Sequence, residues 1–418
     1  MTQASGLADR MPVVDADSHV TEPPDLWTSR VAEEWRHLVP SVHNEERDGR
    51  TVERWRVGNR ALVDVAEFAV AGWSEPTPSH PLVLADADPG SWDPTERLKR
   101  LDEYGVYAQV LYPNLLGFYS HVFVDQITDA RAVVACVKAY NDFLTDFSSQ
   151  APKRFIPIMA LPFWDLEASL QEMRRCAARG HRGFLFSNAP EKVGLPALRD
   201  SHWHPLWSLA QELGLSVNFH IGFMADPDEV AGIKGSQTRA DYTKATSLAM
   251  LNSNAAAIAE VAVSGLCHRF PELNIVSVES GFGWLPYWME LLDWEWLNAG
   301  AARENPEMEL PSYYIKRQVH GTFWFETQTM QSMLHLMPDN VMFETDYPHP
   351  TSLSPGPASV AENPRIVLDK ALGGLPDELV RKVVFENAAR VYHLDLSEWR
   401  SGPAPSLSTQ PTAAQTHA

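Results

Sequence analysis

Asp17-Ser18-His19 is the first stretch of the chain whose residue types and spacing could do chemistry. In an extended segment, side chains two residues apart point to the same face, so this carboxylate and imidazole can grip one cation. His220 emerges directly from the apolar run L-S-V-N-F-H that begins at Leu215, and offers a further imidazole. Asp346 closes V-M-F-E-T-D and offers a further carboxylate. Two carboxylates and two imidazoles, with positions left for water and substrate, are what a catalytic metal centre needs. Each has an ordinary reading when taken alone. A D-x-H pair often binds nothing, His220 could be a satisfied core histidine, and Asp346-Tyr347-Pro348-His349-Pro350 could be a turn with an Asx cap. What decides between the readings is whether the fold brings the four together.

The elements that must position them alternate regularly. Buried-strand runs begin at Val13 (V-V-D-A-D), Ala108, Phe155, Arg182, Leu215, Asn274, Val319 and Val341. Apolar runs of this length, bounded by polar or turn residues, read as strands covered on both faces. Helical spacing fills most gaps, over 130–147, 166–178, 205–213 and 255–270. Another helix is announced by Asp93-Pro94 with Glu96 and stopped by Gly105. Strand then helix, about eight times over, predicts an α/β fold closed as a (βα)8 TIM-type barrel. No G-x-G-x-x-G follows the first strand, which weighs against a dinucleotide-binding sheet.

In such a barrel the strand ends converge on one mouth. The polar residues there are Asp17 and His19, Asn114, Ser187 with Asn188, His220, Glu279, Glu326, and Asp346 with His349. Five of the eight ends carry an acid or a histidine, more than solubility alone requires. His181, His202, His204, His268, His320 and His335 are read as structural or surface residues.

Two segments fall outside the repeat. Residues 21–92 far exceed a βα loop of about 2–6 residues and contain Trp27, Trp35, Trp55 and Trp73. They are expected to fold as an insertion over the mouth within a single domain spanning 1–400. The Pro/Ser/Thr/Ala-rich tail, 401–418, is expected to be disordered. A net charge of -20 opposes binding to nucleic acid or anionic membrane. The three cysteines, Cys136, Cys176 and Cys267, form no C-x-x-C motif, which suits a reducing cytoplasm. No signal peptide or bilayer-spanning stretch is visible.

Several stretches together resemble one family, in its order and over nearly the whole chain. They are V-V-D-A-D-S-H-V, V-N-F-H-I-G, G-L-C-H-R-F-P-E-L-N-I-V-S-V-E-S-G-F-G-W-L-P, M-F-E-T-D-Y-P-H-P and V-V-F-E-N-A-A-R-V-Y. The chain resembles the amidohydrolase-related family that includes aminocarboxymuconate-semialdehyde, resorcylate and carboxyvanillate decarboxylases. The resemblance implies a distorted (βα)8 barrel, a metal on Asp17, His19, His220 and Asp346, and a homodimer. The better-known members carry H-x-H or E-x-H in place of Asp17-Ser18-His19, and a catalytic histidine at the position of Glu279. The insertion, with its E-P-P-D-L-W, is foreign to the small decarboxylases.

Three reactions follow. Hydrolysis would use a metal-activated water, with Glu279 or Asp346 as base and His349 as proton donor. Non-oxidative decarboxylation of an aromatic or dienoic acid would need a proton donor and a cation for the carboxylate, for which Arg30 and Arg182 are the candidates. Oxygen activation by a dinuclear Fe or Fe/Mn centre would add Glu22 and Glu279 as ligands. Such an oxygen-rich set suits Fe or Mn better than Zn, the metal expected of a mononuclear site. Glu22 could equally be a helix-start or turn acid before Pro23-Pro24. The expected substrate is a small organic molecule with an apolar or aromatic portion.

Overall fold

The structure, a computed structural model, describes residues 6–223 and 236–397. The tail expected to be disordered lies outside the described residues. Strand β1, Val14–Val20, is followed by a small antiparallel sheet of β2 (Ser41–Arg47), β3 (Arg50–Val57) and β4 (Arg60–Asp64). The chain then runs through β5 (Ala108–Pro113), β6 (Phe155–Met159), β7 (Gly183–Leu185), β8 (Ser216–His220), β9 (Ile275–Val278), β10 (Val319–Phe323) and β11 (Val341–Phe343). Every barrel strand is buried throughout, as its uninterrupted apolar run requires.

The eight long-range strands lie in the order β1-β5-β6-β7-β8-β9-β10-β11, each pair parallel. The ends of that order meet just beyond β11. Ser18 and Tyr347 form a parallel bridge, His19 N–H donates to Tyr347 O at 2.7 Å, and Asp346 N–H donates to Asp17 O at 2.9 Å. The sheet is therefore a closed barrel, whose seam falls at the D-x-H pair and Asp346.

Buried polar groups tie that seam. Asp15 Oδ1 accepts Thr345 N–H at 2.8 Å, while Asp15 Oδ2 accepts the Thr345 hydroxyl at 2.5 Å and Gln109 Nε2 at 2.7 Å. The fully buried Arg97 guanidinium donates to Gln109 Oε1, Gly90 O and His19 O, and lies over the Tyr347 ring at 4.4 Å. Arg97 sits on the helix Pro94–Tyr104, whose N-cap Asp93 accepts Glu96 N–H and whose stop is Gly105 at φ 73°. That start and stop match the sequence reading.

One helix differs from the sequence reading. Instead of spanning 255–270, it runs over Arg239–Val263, and a separate turn, Leu266–Arg269, follows Gly265 at φ 80°. Its first half exposes Leu248 and Leu251, so it shows little of the periodicity that marks a packed face.

The insertion packs on the barrel through its tryptophans. Trp27 and Trp55 are buried edge to face, 5.1 Å apart, and Trp27 also meets Phe123 at 5.5 Å and donates Nε1–H to Cys136 O. Val70 and Ala71 N–H both donate to Pro348 O, which fastens the insertion to the loop after β11.

Candidate metal centre

Asp17 and His19 reach the mouth from the end of β1, where the register against β5 shifts between Asp15 and Ser18. Such irregularities re-aim side chains next to active sites. The two residues converge, with His19 Nε2 3.4 Å from Asp17 Oδ1. His220, the last residue of β8, brings its Nε2 to 3.0 Å from His19 Nε2 and 3.5 Å from Asp17 Oδ2. Its Nδ1 lies 2.7 Å from Ile221 O, a backbone acceptor that leaves Nε2 as the free ligand atom.

Glu279 and Asp346 follow β9 and β11, with φ of 54° and 55°. Left-handed backbone in non-glycine residues is costly and clusters at functional sites, and here it accompanies carboxylates that face the same cluster. Asp346 Oδ1 is 3.6 Å from His19 Nε2, and Glu279 Oε2 is 3.7 Å from His220 Nδ1. The Thr351 hydroxyl donates to Asp346 Oδ2 at 2.8 Å and to Glu279 Oε1 at 3.2 Å. His349 stacks on His19, with centroids 3.7 Å apart, and its Nδ1 is 3.1 Å from Asp346 Oδ1.

These residues form three overlapping groups whose ligand atoms lie within 4.8 Å of one another: Asp17, His19 and His220; His19, Asp346 and His349; and Asp17, Glu279 and Asp346. Both Asp17 oxygens and Asp346 Oδ1 are buried without a hydrogen-bond partner, which is costly for a carboxylate. Burial pushes Asp17 well up, helped by Asp346 and Glu279. It likewise pushes Asp346 up to about 7 and Glu279 up to about 8, and holds the His19 imidazole well below its usual range. A bound cation reverses that logic, since it favours carboxylate and neutral imidazole together. The donor set fits a divalent metal.

Other predicted residues lie elsewhere. Glu22 is buried, but its Oε1 accepts Asn114 and Leu115 N–H, capping the helix Leu115–Gln126. It joins none of the three groups, and the helix it caps is not one starting at Pro23-Pro24 but one that begins at Leu115. Asn114 Oδ1 lies 2.6 Å from His349 Nε2, and Glu326 holds the loop after β9 through Phe282 and Gly283 N–H. Ser187 accepts Ala189 N–H and Asn188 contacts Asn254. Arg30 pairs with the Asp146 carboxylate, and exposed Arg182 sits just before β7, at the strand end opposite the mouth, so neither is placed to meet a substrate carboxylate.

Sequence reasoning missed three residues here. Glu344 is fully buried with Oε1 unpartnered, and burial together with Asp17 pushes its carboxyl well up. Phe118 packs 5.9 Å from His19 and 5.5 Å from His220, and Phe68 packs 5.6 Å from His349. The insertion thus brings a phenylalanine, rather than one of its buried tryptophans, to the cluster.

A closed (βα)8 barrel with buried carboxylates and imidazoles converging at the C-terminal ends of its strands defines a metal-dependent barrel enzyme. The chain belongs to the amidohydrolase family, whose model matches residues 14–394. It is 25% identical over 301 residues to the 2-amino-3-carboxymuconate-6-semialdehyde decarboxylase of Dictyostelium discoideum, covering 69% of this chain and 77% of that protein. It is 26% identical over 268 residues to the gamma-resorcylate decarboxylase of Rhizobium sp. (strain MTP-10005), covering 60% and 76%. An amidohydrolase structure from Mycobacterium avium subsp. paratuberculosis K-10 superposes with a TM-score of 0.71 at 21% identity, covering 91% of this chain and 99% of that one. Two solved decarboxylases of this fold hold manganese. Among the described residues, no helix is long and apolar enough to cross a membrane.

Proposed function

We propose that this enzyme catalyses non-oxidative decarboxylation of a small aromatic or dienoic acid. A divalent cation would be held by Asp17, His19 and His220, with Asp346 beside it. The observation that carries the reading is the convergence of these buried groups, two of whose carboxylates retain unpartnered oxygens. The choice among reactions rests on the two decarboxylases that resemble the chain in sequence.

When bound, the cation supplies Lewis-acid stabilisation of charge developing on substrate oxygens. Phe68 and Phe118 offer an apolar wall to a planar substrate and keep water from it. Glu279, anchored by Thr351, would hold a proton at the mouth and deliver it to the substrate carbon. Buried, unpaired Cys136, Cys176 and Cys267 suit a reducing cytoplasm. We also keep the homodimer that the resemblance implies, which light scattering in solution tests.

A second reading, hydrolysis, is favoured by one feature. Glu279 is a carboxylate, well suited to act as general base toward water. Turnover of dihydroxybenzoates and muconate-type acids, and of their esters and amides, in H₂¹⁸O separates the two reactions. Carbon dioxide release without ¹⁸O in the organic product supports decarboxylation, and ¹⁸O incorporation without carbon dioxide supports hydrolysis.

A further inference from the structure

The barrel has a cavity at the end opposite the mouth. Met11 and Pro12 line it just before β1 enters the barrel, whereas Asp17 and His19 stand further along that strand, toward the mouth. The remaining walls come from Arg10 and from the stretch between Arg381 and Ser397. The cavity holds about 750 Å³, within the range of small-ligand pockets. None of the residues gathered at the metal centre lines it.

One wall is an irregular helix. Asp377–Arg381 and Asn387–Val391 are α-helical, and the turn between them, Lys382–Glu386, is a π-helix. Such turns are rare and recur at functional sites. Here the turn carries Phe385 and Glu386 to the cavity, between Arg381 and Ala389. Phe385 and Met11 are buried and Leu394 and Leu396 half-buried, so the interior is apolar. The cations on the lining are the guanidinia of Arg10 and Arg381. Each pairs with a solvent-accessible acid, Arg10 with Asp377 at 3.3 Å and Arg381 with Glu386 at 3.2 Å. Ion pairs in contact with water are weak, so both guanidinia can turn to an incoming anion.

We propose that this cavity binds an organic carboxylate with an apolar body, at a site separate from the metal centre. The apolar body packs on Met11, Phe385, Leu394 and Leu396, and the carboxylate takes charge-assisted hydrogen bonds from Arg10 and Arg381. The planar guanidinium fork suits a carboxylate in particular. Charge complementarity selects the ligand. The chain carries a net charge of -20, yet this lining sets two arginines against Glu386 alone. The site shares no residue with the proposed reaction and does not depend on it.

The test is isothermal titration calorimetry of the whole chain with octanoate below its micelle concentration. Saturable binding is expected, with octan-1-ol, the same apolar body without the charge, binding about 10-fold more weakly or worse. Arg10→Gln and Arg381→Gln together should weaken octanoate by about 10-fold or more and leave octan-1-ol unchanged, and circular dichroism checks that this variant folds. His220→Ala, which removes a ligand of the proposed metal, should bind octanoate as the wild type does. Loss of binding there would put the octanoate at the mouth and overturn the proposal. So would the absence of saturable binding, equal binding of acid and alcohol, or equal binding by wild type and the arginine variant. Octanoate binding that appears only in a chain cut after Ser397 would make residues 398–418 the occupant and overturn the proposal too. Binding to oleate-containing vesicles without binding of free octanoate would make a lipid surface the partner instead.

Discussion

The ring of His349 lies flat on that of His19, with centroids 3.7 Å and planes 14° apart. A residue supplied after the last strand thus rests on one supplied by the first, across the seam where the barrel closes. Stacking needs only an aromatic ring, whereas the contact of Nδ1 with Asp346 needs nitrogen. His349→Phe keeps the stack but leaves Asn114 Oδ1 without its partner, so it should cost about 1–3 kcal/mol of stability while losing turnover by about 100-fold or more. Urea denaturation together with steady-state kinetics checks both halves, and unchanged turnover would remove His349 from the chemistry.

Glu279 is held in a left-handed conformation and anchored to Thr351. Glu279→Gln preserves size and the hydrogen bond from Thr351, but cannot shuttle a proton. Turnover should fall by about 10²–10⁴-fold, with the protein still binding cation through Asp17, His19 and His220. Kinetics paired with metal analysis tests this. A variant as active as the parent would show that the proton comes from elsewhere.

Trp27 joins the insertion to the barrel helices through Trp55, Phe123 and Cys136 O. Trp27→Ala should cost about 3–5 kcal/mol. If residues 1–400 form one domain, as we propose, the loss should fall on a single unfolding transition seen alike by tryptophan fluorescence and far-ultraviolet dichroism. Separate transitions would make the insertion an independent unit.

A pH dependence is built into the insertion at Asp64, which takes bonds from Arg47 and lies 2.9 Å from His80 Nε2. Burial pushes the Asp64 carboxyl up, but the bonds to His80 and Arg47 outweigh it and hold the group down at about 2, below its ordinary 3.8. The bond to Asp64 raises His80 above its ordinary 6.5. The lowered acid stabilises the fold above pH 3.8, and that contribution is lost as pH falls toward 2. The raised histidine stabilises it below pH 6.5, and that contribution is lost as pH rises through the raised value. Asp64→Asn should thus destabilise most between pH 3.8 and 6.5. Urea unfolding across pH 2–9 measures it, and a penalty independent of pH would contradict the pairing.

The barrel was legible because each of its strands is a short apolar run stopped by polar residues, and because Asp93, Pro94 and Gly105 punctuate a helix in standard ways. The cluster was legible because strand ends must meet at one mouth, which turned Asp17, His19, His220 and Asp346 from scattered residues into neighbours. Other features were hidden for physical reasons. Strand β2 reads S-V-H-N-E-E-R, too polar for an apolar alternation, although Asp48-Gly49, both at positive φ, is a hairpin signal that marks its turn onto β3. Glu344 hides inside a run read as strand. Phe68 reaches the mouth only through the path of the insertion, which no local pattern encodes. Glu22 was open to two readings, and its bonds to Asn114 and Leu115 N–H follow from a helix start far along the chain.

The central claim is that Asp17, His19 and His220 close around a divalent cation. Anomalous diffraction from crystals grown with Mn²⁺ tests it most directly. We expect a peak about 2.0–2.3 Å from an Asp17 oxygen and from Nε2 of His19 and of His220, and its loss in His220→Ala. A mouth without a peak, in protein that binds Mn²⁺ elsewhere or not at all, would contradict the account.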